Sequence, residues 1–84
     1  MSSYEILVPR KVQKQIEQLE KRDSDQIWRH IRALDQDPYA NATHYISEHW
    51  LKIRVGDFRV AFNIDEQGKT ITITKVGHRR EFYT

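Results

Sequence analysis

The stretch WLKIRVGDFRVAFNI, residues 50–64, decides the fold. Leu51, Ile53 and Val55 alternate with Lys52 and Arg54. Phe58, Val60, Phe62 and Ile64 alternate with Arg59, Ala61 and Asn63. A period of two marks a strand with one apolar face. Between the two runs, Gly56-Asp57 suits a two-residue hairpin turn, which pairs Val55 with Phe58, Arg54 with Arg59 and Lys52 with Ala61. Ile71 and Ile73, alternating with Thr70, Thr72 and Thr74, read as a third strand after a longer turn at Asp65–Gly68. These strands form an antiparallel meander, apolar on one face and polar on the other.

Upstream, the period changes to that of a helix. Val12, Ile16 and Leu19 recur at i, i+4, i+7 and predict an amphipathic helix over 10–20. Ile27, Ile31 and Leu34 repeat the spacing. Asp23 is the expected N-cap of that second helix, with Gln26 completing a capping box, and Pro38 sets its limit. Trp28, beside Ile27, reads as packing, and Trp50 as a core or rim residue. Tyr4–Val8 is a short run of strand formers closed by Pro9, which suits the first turn of a helix. A lone short strand is unstable, so it must join the sheet. His44–His49 offers a weaker further strand. The fold class expected is therefore α+β: an antiparallel sheet with an N-terminal strand and a helical hairpin packed on one face.

Composition narrows the function. The chain has 84 residues, 31% of them charged, which fits one domain over 1–84. A chain this short buries only about 60% of its unfolded surface, which excludes a two-domain enzyme with a closing cleft and a dinucleotide fold. Cysteine is absent, which removes disulfides, thiolate metal sites and a thiol nucleophile together. An unstapled domain of this size suggests the cytoplasm. No apolar run reaches the roughly 18 residues of a membrane span, and the first residues do not read as a signal peptide. Net charge is +2, unevenly spread. Residues 1–48 hold seven Lys/Arg against eight Asp/Glu, and residues 49–84 hold seven against four. The basic second part points to an anionic partner, nucleic acid being the commonest; ordinary scatter is the plain alternative.

On the polar face, the expected register sets Arg54 opposite Arg59 with Lys52 two residues along. Like charges at cross-strand positions destabilise a sheet, so an anion held over this face would compensate. A different register, or neutralisation by Asp57 or Asp65, would account for the pair without a ligand. The C-terminal run KVGHRREFYT, residues 75–84, adds His78, Arg79, Arg80 and Tyr83 near the same face. Arginine contacts phosphate with two parallel hydrogen bonds, and tyrosine stacks on a base. His30, His44, His49 and His78 lack the spacing of a metal site, and no serine sits in a nucleophile elbow. A cluster of Arg and Lys with one Tyr and one His suits cleavage of RNA. There the 2′-hydroxyl is the nucleophile, and the protein neutralises the phosphate and moves two protons. No cofactor or metal is called for.

The run WLKIRVGDFRVAFNIDEQGKTITITKVGHRREFYT resembles the core of the RelE/ParE toxin superfamily, and YEILVPRKVQKQIEQL is similar to its first strand and helix. The specific part is VGDFRV paired with KVGHRREFY. The resemblance implies the toxin of a type II toxin–antitoxin pair, cleaving mRNA in the ribosomal A site and neutralised by a cognate antitoxin through which the complex binds operator DNA. It implies Lys52 as general base, alone or with Tyr83. Arg59 and Arg79 would stabilise the phosphate, Tyr83 would orient or stack the substrate, and Arg54, His78 and Arg80 would contact RNA. Arg54 stands where the RelE type often has a lysine, and the gap from Arg79 to Tyr83 is shorter, which leaves His78 as an alternative acid or base. A topoisomerase inhibitor of the ParE type and an inactive antitoxin-binding relative are the other readings.

Overall fold

A computed structural model describes residues 4–40, 42–44 and 50–82. Its elements in chain order are β1 (Glu5–Leu7), α1 (Arg10–Glu17), α2 (Lys21–Ala33), β2 (Thr43–His44), β3 (Trp50–Val55), β4 (Phe58–Asp65) and β5 (Thr70–His78). The strands form one sheet in the order β1-β5-β4-β3-β2. The meander is antiparallel as read, while β1 lies parallel to β5, so the sheet is mixed. The parallel contact follows from topology: α1 and α2 cross one face between β1 and the meander and return the chain in the same direction. Of the expected 44–49 strand only His44, together with Thr43, lies in β2; residues 45–49 lie outside the described residues.

The β3–β4 register is the expected one, with Val55 opposite Phe58, Arg54 opposite Arg59 and Lys52 opposite Ala61. Gly56 has φ +61° and Asp57 has a negative φ, the pattern of a type II′ turn whose twist suits a hairpin. In the next turn, Lys69 rather than Gly68 takes the positive φ, at +51°. Gly68 N–H instead donates to Asp65 Oδ1 at 3.1 Å.

One irregularity redirects β5. Ala61 pairs with Lys75 but Phe62 pairs with Ile73, so Thr74 is an extra residue on β5. A bulge of this kind shifts the side-chain phase by one. Ile71 and Ile73 face the helices before it, and Val76 does so after it. β1 covers β5 only as far as Thr72, and beyond it α1 supplies an acceptor: Val76 N–H donates to Gln15 Oε1 at 3.0 Å.

Both helices lay their apolar stripes on that face. Val12 and Ile16 from α1 and Ile27 and Ile31 from α2 are buried against Leu51, Ile53, Val60, Phe62, Ile71 and Ile73. Trp28 is partly buried against the same cluster. Pro9 is the N-cap of α1, and its carbonyl accepts from Val12 N and Gln13 N. The helix closes at Glu17, short of the expected residue 20, because Leu19 N–H turns back to Ile16 O. The N-cap of α2 is Glu20, not Asp23. Starting earlier gains the Lys21–Asp25 ion pair at 2.9 Å and keeps Asp23 in the first turn, where a carboxylate meets the positive end of the helix dipole. None of the helices among the described residues is long and apolar enough to cross a membrane.

A polar clip ties the loops at one end. The Tyr4 hydroxyl donates to Glu66 at 3.0 Å, the Tyr39 hydroxyl donates to the same carboxylate, and Lys69 Nζ lies 3.6 Å from it. Hydrogen bonds from Tyr39 and then Tyr4 hold the Glu66 carboxyl below its ordinary value of 4.5. A carboxyl lowered in the folded state stabilises above its ordinary value, and that contribution is lost as pH falls through the folded value. Glu66→Gln should therefore lose less stability than the wild type between about pH 7 and about pH 3 in urea titrations. Phe62→Ala, in the centre of the core, should lower the unfolding free energy by about 3–5 kcal/mol in the same assay.

Candidate functional site

The face turned away from the helices carries the cations in two rows. Across β3, β4 and β5 one row reads Lys52–Ala61–Lys75, and the next reads Arg54–Arg59–Gly77. Neighbouring strands lie about 4.8 Å apart, so both rows fall within a patch that one phosphodiester segment can span. Arg54 is exposed and Arg59 and Lys52 are half-buried. The guanidinium groups turn toward backbone carbonyls of the hairpin end: Arg54 Nε donates to Gly56 O at 3.3 Å and Arg59 Nη1 to Phe58 O at 3.4 Å. Among the described residues, neither has a carboxylate at ion-pair distance. Asp65 is engaged with Gly68 instead. Among the described residues the like-charged pair thus has no counter-ion, the arrangement expected of a surface that meets an anion.

The C-terminal segment closes this face at one end. Arg79 N–H donates to Asp57 O at 2.8 Å, so Arg79 leaves the chain beside the hairpin turn and the Arg54–Arg59 pair. Glu81 N–H and Phe82 N–H both donate to His78 O, folding the segment back. Phe82 is fully buried, outside the main core cluster and against Gly77. The face expected to be polar therefore holds an apolar seat on Gly77 among its cations.

Not every expected site residue joins the group. Lys52, Arg54 and Arg59 share the face, with Arg79 at its end. His78 lies on the other side: it pairs with Phe58 on the helix-facing surface, and the two rings meet edge to face at 5.5 Å. Arg80 N–H donates to His78 Nδ1, which places the proton of the neutral ring on Nε2. Arg80 and His78 line a cavity of about 520 Å³ with Gln15, Gln18 and Leu19 of and beside α1. Thr74 is the reason for this placement, since the bulge puts the even-numbered end of β5 on the helix side. Tyr83 lies outside the described residues. Trp50 sits half-buried at the rim of the cationic face, opposite Asn63. Among the described residues, no group of three or more His, Asp or Glu is placed to hold a metal ion.

Lys75 and Phe82 belong to the site and were not singled out from the sequence. Their signal was the phase break in TITITKV: apolar residues at 71, 73 and then 76 require a bulge, which turns Lys75 to the cationic face.

A family model described as the ParE toxin of a type II toxin–antitoxin system, parDE, matches residues 6–83. Among curated protein sequences none matches at a significant level. Solved structures do. The toxin–antitoxin complex RelBE2 from Mycobacterium tuberculosis aligns at TM-score 0.81 and 20% identity, covering 92% of this chain and 99% of that one. The archaeal RelE-RelB complex from Pyrococcus horikoshii aligns at 0.80 and 20%, covering 94% and 98%. The isolated E. coli RelE toxin aligns at 0.78 and 14%, covering 90% and 84%. At these identities the structural likeness establishes the shared fold.

The opposed arginines make a stability prediction. Arg54→Thr removes the like-charge contact at an exposed position and should raise the unfolding free energy by about 0.2–1 kcal/mol at low salt. The gain should shrink as added salt screens the wild-type repulsion. Urea denaturation at two ionic strengths checks both.

Proposed function

We propose, because the chain belongs to the RelE/ParE superfamily and is a toxin of the type II toxin–antitoxin class, that it is a ribosome-dependent endoribonuclease cutting mRNA in the ribosomal A site. The observation that carries the reading is the Arg54–Arg59 pair, directly opposed on a sheet face beside Lys52, with no carboxylate at ion-pair distance of either arginine among the described residues. The reaction asks little of a small protein. The 2′-oxygen attacks the adjacent phosphorus, the bond to the 5′-oxygen breaks, and a 2′,3′-cyclic phosphate and a free 5′-hydroxyl result. One proton leaves the 2′-oxygen and one reaches the 5′-oxygen.

In this reading Lys52 takes the first proton, alone or with Tyr83. Arg59 and Arg79 meet the negative charge that grows on the pentavalent phosphorus. Tyr83 orients or stacks the nucleotide, and Arg54 and Arg80 hold flanking phosphates. His78, with its Nε2–H on the helix-facing side, serves as alternative acid where the RNA rounds the end of the sheet. The substrate brings the nucleophile and the arginines bring the charge, so the chemistry needs no metal or cofactor. The ribosome supplies the substrate's position, which a single small sheet does not.

A cognate antitoxin completes the proposal. Toxin–antitoxin complexes from M. tuberculosis and E. coli contain a chain of this fold. Here a partner segment with acidic and apolar residues fits the cationic face, and operator DNA is bound through that partner. The chain then acts in the cytoplasm, as one domain over 1–84. A second reading, inhibition of a topoisomerase, is favoured by the family model itself, which is described for ParE toxins.

Purified ribosomes programmed with mRNA decide between them. The first reading expects cuts within translated codons, and a loss of roughly 10²–10³-fold in rate for Arg59→Ala or Arg79→Ala. An intact message under conditions where a control nuclease toxin cuts it, together with blocked supercoiling by purified gyrase, would replace it with the second.

A further inference from the structure

We infer that Lys75 is a positioning residue: it pins the C-terminal segment to the cationic face at Phe82 and so sets where Arg79 stands. The role given to Arg79 rests on the ribonuclease reading, but the pin rests on contacts alone. Lys75 is half-buried, and its ammonium has two partners within the same residue. It donates to the Phe82 carbonyl oxygen and lies 4.8 Å from the centre of the Phe82 ring. A ring face is the negative side of the aromatic quadrupole, so one cation holds both the backbone and the side chain of Phe82.

The seat is shaped for this. Ala61 lies between Lys52 and Lys75 in one row, and Gly77 lies beside Arg59 in the next. A Cβ at Gly77 would sit 3.9 Å from Phe82 Cα and Cδ1, so the ring rests directly on the strand. Gly77 makes the hollow, and Lys75 closes over the ring.

The segment is thereby held at both ends. Arg79 N–H is bonded to Asp57 O at one end, and Phe82 is clamped by Lys75 at the other. Between them the turn is closed on His78 O. The Arg79 side chain then emerges from a fixed point next to the Arg54–Arg59 pair. Without the pin, the Phe82 carbonyl loses its Lys75 donor and the ring loses the cation over its face. The Lys75 donor is thus spent on the protein's own chain.

Amide hydrogen exchange by NMR tests the pin without any substrate. Lys75→Met keeps the apolar stem beside Phe82 and removes the donor and the charge. The Arg79 and Phe82 amides should exchange at least about tenfold faster, with Val60 and Ile73 unchanged. Lys75→Arg should restore the wild-type pattern. Unchanged exchange at Arg79 and Phe82 overturns the inference, and so does a uniform rise that includes Val60 and Ile73. In the ribosome assay, Lys75→Met should lower kcat by about tenfold or more with little change in KM, and Lys75→Arg should recover it. If the segment loosens in Lys75→Met while the wild type leaves mRNA intact, the pin stands and the ribonuclease reading falls.

Discussion

The hairpin turn at Gly56-Asp57 is the constraint from which the rest of the site follows. Side chains on a strand alternate between faces, so a slip of one residue in the β3–β4 register would move every one of them to the wrong side. Gly56, at φ +61°, accepts a backbone that other residues resist, and this locks a two-residue loop. With that loop fixed, Leu51, Ile53 and Val55 meet the helices, and Lys52 and Arg54 have only the opposite face available. The Arg54–Arg59 opposition is then unavoidable. Burial of the apolar set outweighs it, because several fully buried side chains contribute more than one exposed like-charge contact takes away.

The bulge at Thr74 is the second constraint, and it divides the C-terminal half. Without it, Lys75 and Gly77 would continue on the helix side and His78 would stand among the arginines. With it, Lys75 joins the cationic face, Gly77 leaves room for Phe82, and His78 pairs with Phe58 beside α1. One inserted residue therefore separates the histidine from the lysine and arginines that its neighbourhood in sequence suggests it accompanies. Gln15, reaching from α1 to Val76 N–H, satisfies the backbone there.

Much of the fold was legible from pattern. The meander, its register, the two amphipathic helices and the face that packs were all readable, because period two and period 3.6 arise from local backbone geometry. The same reading missed features that depend on competition between partners. Asp23 looked like an N-cap, but α2 begins at Lys21, where an ion pair with Asp25 becomes available. The parallel docking of β1 on β5 needed the path of both helices. In the site, Lys52, Arg54 and Arg59 follow from register alone, while the roles of Lys75 and Phe82 depend on the bulge at Thr74 and on the fold-back of the segment after β5.

The sequence by itself determined which residues form strands and helices, which side of each is apolar, and that two arginines confront each other across a tight turn. Those properties live within a few residues of each other along the chain. The tertiary structure alone decided which further groups join Lys52, Arg54 and Arg59 on that surface. It put Lys75 beside Ala61, folded Phe82 onto the sheet, bonded Arg79 to the hairpin turn and sent His78 to the opposite side. Each of those placements depends on one extra residue in β5 and on a C-terminal segment meeting a strand far from it in sequence. Periodicity carries the direction of a side chain, but only packing decides what it finds there.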